Sequence, residues 1–233
     1  MDIKLLPSRI DDLKKLCDKS NSPKFIGFLT AEEAAVAVRQ FKSGEKYSLF
    51  GGYDGAERVM LGILPDWCDE PVFPIKAVTF TYRMCDKLTH RDFLGALMAL
   101  GITRESVGDI LVGSGRAVAF VTDDVSKFVF TQISKVGSVG GTLTNGYCNP
   151  LPCHSERQSF SVTVASTRLD CVVASLCGIS RGAATKKITD GLVSVNSVCA
   201  VKPTVNIKAN DKITVRQRGK FEIENCGEHS KKG

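Results

Sequence analysis

The chain has 233 residues and a formal net charge of +6; 43% of its residues are hydrophobic and 24% are charged. This is the composition of a globular protein, and it excludes collagen-like, low-complexity and wholly disordered chains. No apolar run approaches the roughly 20 residues of a membrane-spanning helix, and the N-terminus lacks a secretory signal core, so we expect a cytoplasmic protein without a membrane span.

Residues 1–72 are predicted to form an N-terminal region of helices and a β-hairpin. Thr30 and Glu33 have the spacing of a capping box, which opens a helix to about Lys42. A weaker helix is predicted over 8–19. Two strands, 46–50 and 58–64, flank a glycine-rich turn.

Residues 73–146 are predicted to follow the order β-α-β-β-α-β. The elements are a strand over 75–82, a helix from Thr89 to Leu100, strands over 109–112 and 116–121, a helix carrying Val125, Phe128, Val129, Ile133 and Val136, and a strand over 138–144. This is the ferredoxin-like pattern that RNA-recognition motifs share. Because Phe120 is the only aromatic residue on the third strand, the pattern does not by itself predict base stacking on this sheet.

The nine cysteines are an odd number and include no Cys-x-x-Cys pair, so we expect most of them to be buried, reduced packing thiols. Cys148, Cys153 and His154 are the one cluster with metal-ligand residue types. No second ligand pair accompanies them, and neighbouring prolines favour a connector, predicted over 147–165. We therefore expect neither a metal nor a cofactor.

Residues 166–221 carry ten basic and three acidic residues, a net charge of +7 that leaves −1 for the rest of the chain. A basic module on a near-neutral body suggests a polyanionic partner such as nucleic acid, with a solubilising surface as the alternative. Apolar spacing from Leu169 to Leu176 predicts a short helix ended by Gly178, and Ser180 caps a second one ended by Gly191. Strands are predicted at 192–195, 198–201 and 212–215, and a flexible tail over 222–233.

Four short sequence motifs in this region resemble the alpha-L RNA-binding motif, first known from the fourth protein of the small ribosomal subunit. They are Arg168-Leu169-Asp170, Ser180-Arg181, the run 191–196 and the run 211–216. The resulting fold-class prediction is α+β, with an N-terminal α/β-hairpin region, a ferredoxin-like middle domain and a C-terminal alpha-L domain over 166–221.

Upstream, the runs 51–58, 88–97 and 100–110 resemble signature segments of the bacterial YlmH family, so the resemblance spans essentially the whole chain. It implies a ribosome-associated RNA-binding factor of ribosome-associated quality control, and we separately expect a monomer. Such a factor would bind rRNA of the large ribosomal subunit and stabilise peptidyl-tRNA, together with other quality-control factors. It would not be an enzyme, and we assign no catalytic residue.

The predicted RNA-binding residues are basic or polar side chains expected on one face of the C-terminal module. They are Arg168, Ser180, Arg181, Lys186, Lys187, Asn196, Arg216, Arg218 and Lys220. Asp170 either orients Arg168 or simply favours the start of its helix.

Two other functions remain open. One is an RNA-modifying enzyme of the pseudouridine synthase or rRNA methyltransferase type, targeted by its alpha-L domain. The other is an adaptor whose N-terminal regions recruit a protein partner. The polar cluster His90, Arg91 and Asp92 is interpreted as a helix cap or domain contact, not as acid–base machinery.

Overall fold

The computed structural model describes residues 3–152, 159–196, 198–216 and 218–225. The chain divides into two compact units, residues 1–156 and 157–233. Within the described ranges no helix is both long and apolar enough to cross a membrane. Cys153, His154 and parts of the predicted linker and tail lie outside the described residues.

The first unit begins with a helix–sheet layer. Its elements are α1 (Leu6–Ser20), β1 (Lys24–Leu29), α2 (Ala31–Val38), β2 (Lys46–Phe50) and β3 (Val59–Leu64). The strands are antiparallel in the order β1-β3-β2. The capping box is confirmed, since Glu33 accepts from the Thr30 backbone N–H at 2.7 Å, although α2 ends before the predicted Lys42. Leu6, Ile10 and Ala37 are fully buried in this layer.

The second layer of this unit has an antiparallel sheet in the order β9-β4-β6-β5. Its elements are β4 (Ile75–Thr81), α3 (His90–Ala99), a 3-10 helix (Arg104–Ser106), β5 (Val107–Val112), β6 (Arg116–Thr122), α4 (Asp123–Gln132), β7 (Lys135–Val136), β8 (Val139–Gly140) and β9 (Thr142–Asn145). Phe93 of α3 and Val129 of α4 pack in one core with Val78 and Phe80. The prediction that Val136 belongs to α4 is wrong, because Val136 pairs with Val139 in a short hairpin.

The face of the middle sheet opposite α3 and α4 packs on the first sheet. Phe28 and Met60 from the first sheet share a core with Val118 and Phe120. Gly108 permits this approach, since a Cβ there would lie 2.6 Å from the Phe28 ring. The two sheets of the first unit are therefore joined through an apolar core to which both contribute.

The second unit places two short helices on a small antiparallel sheet. Its elements are α5 (Leu169–Cys177), α6 (Arg181–Thr189), β10 (Val193–Val195), β11 (Val198–Cys199), β12 (Lys212–Val215) and β13 (Gly219–Glu222). The strand order is β11-β10-β12-β13. Val173, Ala184 and Ile188 are fully buried in the core, which confirms the predicted inner face of α6. Strand β13 was not predicted.

Both units combine helices with antiparallel sheets, which confirms the α+β class.

The expectation for the cysteines is confirmed in part. Cys17, Cys68, Cys171 and Cys177 are buried, whereas Cys85, Cys148 and Cys199 are exposed free thiols. In the part of the chain that the structure describes, no group of three His, Cys, Asp or Glu side chains is placed to hold a metal ion.

Candidate nucleic-acid interface

A buried carboxylate organises the start of α5. Asp170 lies in the first turn of this helix and is 2% exposed. Its Oδ1 accepts from the Arg168 Nε at 3.2 Å and its Oδ2 from the Arg168 Nη2 at 3.1 Å. The Arg181 Nε donates to the same Oδ2 at 2.8 Å. Residues 168 and 181 thus meet on one carboxylate, which we call the Asp170 clamp.

The electrostatics of the clamp keep Asp170 ionised. Burial by itself would raise the pKa of Asp170, but hydrogen bonds from Arg168 and Arg181 outweigh it and lower that pKa to about 2. The two guanidinium groups nevertheless face solvent, with 39% of the Arg168 side chain and 55% of the Arg181 side chain exposed. A fixed guanidinium with N–H donors directed to solvent is well suited to phosphate oxygens.

The N-terminus of α6 adjoins the clamp because Arg181 is its first residue. Ser180 caps the helix, since its hydroxyl oxygen accepts from the Ala183 backbone N–H at 3.2 Å. The serine predicted to contact RNA therefore has a structural task at this helix end. N–H groups in a first helical turn, together with the helix dipole, favour a bound anion beside Arg181.

Two further cations lie at the C-terminal end of α6. Lys186 and Lys187 belong to the last turn of α6, where Lys186 is exposed and Lys187 is half-buried. Burial raises the pKa of the Cys177 thiol, and the nearby positive charges of Arg218 and Lys187 oppose that shift. Lys187 and Arg218 therefore both act electrostatically on Cys177, the last residue of α5.

Asn196 is exposed and also has a structural role in its turn. It adopts a left-handed φ of 49° in the turn after β10. Its Nδ2 donates to Asp211 Oδ1 at 2.8 Å, and its Oδ1 accepts from the Lys212 backbone N–H at 2.9 Å. The amide therefore fixes this turn against β12. Arg216, Arg218 and Lys220 are exposed on the β12–β13 hairpin.

The middle sheet has a second feature that bears on RNA recognition. Phe120, the aromatic side chain of its third strand, is 1% exposed. Tyr53 stacks on it with ring centroids 4.9 Å apart, and Tyr147 meets it edge-on at 5.6 Å. This ring is consequently covered by the protein itself.

Tyr53 is held over Phe120 by a polar network that the sequence did not reveal. Its hydroxyl donates to Asp109 Oδ2 at 2.8 Å, and the same oxygen accepts from the Glu57 backbone N–H at 2.7 Å. Burial raises the pKa of Tyr53, and the hydrogen bond to Asp109 raises it further. The only sequence signal was a tyrosine inside the glycine-rich turn, which is compatible with many roles.

These features define an α+β protein with a candidate nucleic-acid surface, and known proteins resemble it in sequence and in fold. Residues 72–147 match the family described as "Putative RNA-binding domain in YlmH". The chain is 28% identical over 217 residues to "Ribosome-associated protein quality control protein P2" of Bacillus subtilis (strain 168), covering 90% of this chain and 84% of that protein.

One solved structure has a similar fold. The "Cell division protein ylmH from Streptococcus pneumoniae" superposes with a TM-score of 0.54 at 19% identity, over 63% of this chain and 92% of that one, which shows a shared fold. The middle of the chain, residues 72–147, thus matches a YlmH family domain. The matched domain is the middle region of the chain, and its description concerns RNA binding.

Proposed function

We propose that this protein is a ribosome-associated RNA-binding factor. Its C-terminal unit is proposed to be an alpha-L domain that binds a structured RNA. The observation that carries the proposal is the Asp170 clamp, which presents two solvent-facing arginines beside the N-terminus of α6. The relative's name concerns ribosome-associated quality control. In that setting the RNA would be rRNA of the large subunit together with peptidyl-tRNA, which the protein would stabilise.

Shape and backbone contacts supply the recognition in this proposal. Arginine and lysine contacts to phosphates add affinity and salt dependence but carry no sequence information. Arg168 and Arg181 would engage phosphates at the clamp, and Lys187 and Arg218 would extend the contact along the helix pair. Ser180 and Asn196 would act mainly by fixing the two turns that flank this surface. No step of bond making or breaking is assigned to the protein.

The middle domain is proposed to be of the ferredoxin-like type, over residues 73–146. Its helices α3 and α4 leave exposed cations, among them Arg91 and Lys127, and the family description attaches RNA binding to this part of the chain. A second RNA contact through these helices is compatible with the covered Phe120 ring. It would differ from the sheet-face stacking of RNA-recognition motifs.

The test is sedimentation of the full chain with ribosomal subunits at two salt concentrations, followed by sequencing of crosslinked RNA. We expect co-migration with free large subunits and crosslinks to rRNA and tRNA. Replacing Arg181 and Lys187 by Ala should weaken binding about tenfold or more and lower the logarithmic salt slope by about two.

Two further double variants serve as comparisons for the Arg181 and Lys187 double variant. Arg39→Ala with Lys19→Ala removes the same charge from exposed positions of the N-terminal layer and should leave binding unchanged. Arg91→Ala with Lys127→Ala probes the middle domain. If only this last pair weakens binding, the clamp is not the anchor. Crosslinks confined to a single modified nucleotide would favour an RNA-modifying enzyme instead.

A further inference from the structure

The two edges of the first sheet differ in how they are covered. Strand β1 lies beside the 3-10 helix, because a Cβ on Gly27 would come within 2.6 Å of the Glu105 carbonyl oxygen. Strand β2 is the opposite edge, and β3 is the strand paired with it among the described residues. Native sheets usually cover, shorten or charge their edges, so an open apolar edge indicates a binding function.

Large apolar side chains stand on both faces of this edge. Tyr47 and Leu49 are 40% and 37% exposed, and Phe50, at the end of β2, is 39% exposed. Strand residues alternate between faces, so Phe50 lies on the face opposite Tyr47 and Leu49. An added strand would cover apolar surface on both sides of the sheet at once.

A groove continues from the end of β2. It has a volume of about 540 Å³ and is lined by Phe50, Val72, Phe73, Ile75 and Tyr147, among others. Phe50 and Phe73 pack with ring centroids 5.6 Å apart, whereas Val72 is 89% exposed. The groove can therefore take one bulky apolar side chain beside the open edge.

Acidic side chains lie beside the start of β2 and lead along the chain to the groove. Asp66, Asp69 and Glu70 are exposed in the segment that leads to Val72. Asp69 accepts from Lys46 Nζ at 2.8 Å, which neutralises one of the three carboxylates. This acidic margin disfavours a phosphate backbone and favours lysine and arginine side chains.

We propose that β2 and this groove form a docking edge for an extended segment of a partner protein, in which bulky apolar residues alternate with lysine or arginine. The segment pairs with β2 as an additional strand, and one apolar side chain enters the groove. Main-chain hydrogen bonds supply affinity, and the groove and acidic margin supply selectivity. The site is separate from the Asp170 clamp, and the proposal does not depend on the RNA surface.

The experiment uses the full chain and a fluorescein-labelled octapeptide alternating Lys or Arg with Val, Leu and Phe. Binding is followed by fluorescence anisotropy, and hydrogen exchange reports protection of amides 46–50. We expect binding with protection of β2. The same peptide N-methylated at alternate amides, and a version with Glu for each basic residue, should both fail to bind.

Protein variants locate the site. Leu49→Lys should weaken peptide binding about tenfold, whereas Leu16→Lys, at a 51% exposed position of α1, should not change it. Asp66→Asn with Glu70→Gln should weaken binding about threefold at low salt, and Asp11→Asn with Asp124→Asn should have no effect. Thermal unfolding of each variant verifies its fold.

Three kinds of result would overturn the proposal. The first is equal binding of the Glu peptide, or binding that Leu49→Lys leaves unchanged. The second is protection of β2 by oligouridylate RNA with loss on Leu49→Lys, which would make the edge a nucleic-acid site. The third is protection that grows with protein concentration in the absence of peptide, which would make a second copy the occupant.

Discussion

In the middle sheet, Phe120 lies on the face that RNA-recognition motifs use for stacking bases, whereas in the C-terminal unit Arg168 and Arg181 reach solvent over a buried carboxylate. The ring of Phe120 is covered by Tyr53 and Tyr147. The two arginine side chains are held by Asp170 yet remain 39% and 55% exposed. A residue type that suits RNA binding is thus available only where the surrounding chain leaves it accessible.

The largest expected effect is a loss of stability when Phe120 is replaced, and it tests whether this ring packs in the core or contacts RNA. Because its side chain is almost fully buried between two sheets, Phe120→Ala should lower the free energy of unfolding of the first unit by about 4 kcal/mol. Urea denaturation followed by a probe in this unit measures the loss. Phe120→Leu should cost clearly less. A variant with wild-type stability that loses RNA binding would show that the ring contacts RNA.

The next effect concerns the clamp itself. Asp170→Ala removes the acceptor shared by two arginines and by the Cys171 backbone N–H, 3.0 Å from Oδ1. It should destabilise the C-terminal unit by about 2 kcal/mol, as measured by denaturant unfolding. Asp190→Ala, at the exposed end of α6, is the matched control and should change stability by less than about 0.5 kcal/mol. Equal losses in both variants would contradict a clamp role.

Low pH should lower the stability of the C-terminal unit. The pKa of Asp170 is about 2 in the folded protein against an ordinary 3.8, so the folded state favours the ionised carboxylate. Its contribution is complete above about pH 4 and is lost as the pH falls toward 2. Asp170→Asn should flatten the stability profile in this window. Asp211 also has a lowered pKa, so Asp211→Asn should leave the Asp170 component in place.

The smallest effect tests how Tyr53 is held over Phe120. Tyr53→Phe keeps the ring and removes the hydrogen bond to Asp109, which should cost about 1 kcal/mol of stability. Tyrosine absorbance titration of Asp109→Asn adds a spectroscopic check. Since the hydrogen bond to Asp109 contributes to the raised pKa of Tyr53, this variant should titrate Tyr53 at lower pH. An unchanged titration would mean that burial alone sets that pKa.

Local signals in the sequence predicted the elements whose determinants lie close together in the chain. The capping boxes at Thr30 and Thr89 are formed by residues three positions apart, and both carboxylates bond the expected backbone N–H groups. The spacing of Ala184 and Ile188 likewise predicted the inner face of α6. In each case one helical turn contains the whole interaction.

What the sequence did not predict depends on partners far apart in the chain. Strand β1 exists through its pairing with β3, about 35 residues later. Arg181 and Asp170 are eleven positions apart and lie on two helices. The sequence motifs therefore could not decide whether Asp170 orients Arg168 or only favours the start of its helix. Asn196 adopts a left-handed turn conformation and donates to Asp211, fifteen positions later in the chain, and its local sequence did not indicate this bond.

The apolar core between the two sheets of the first unit has a consequence for how this chain can be divided. Phe28 and Met60 come from the first 72 residues, whereas Val118 and Phe120 come from the middle region. A gene fragment encoding residues 73–146 alone would expose Phe120 and its neighbours to water and yield an aggregation-prone product. The two segments therefore depend on each other for folding, and a chain cut between them would lose the core that both supply.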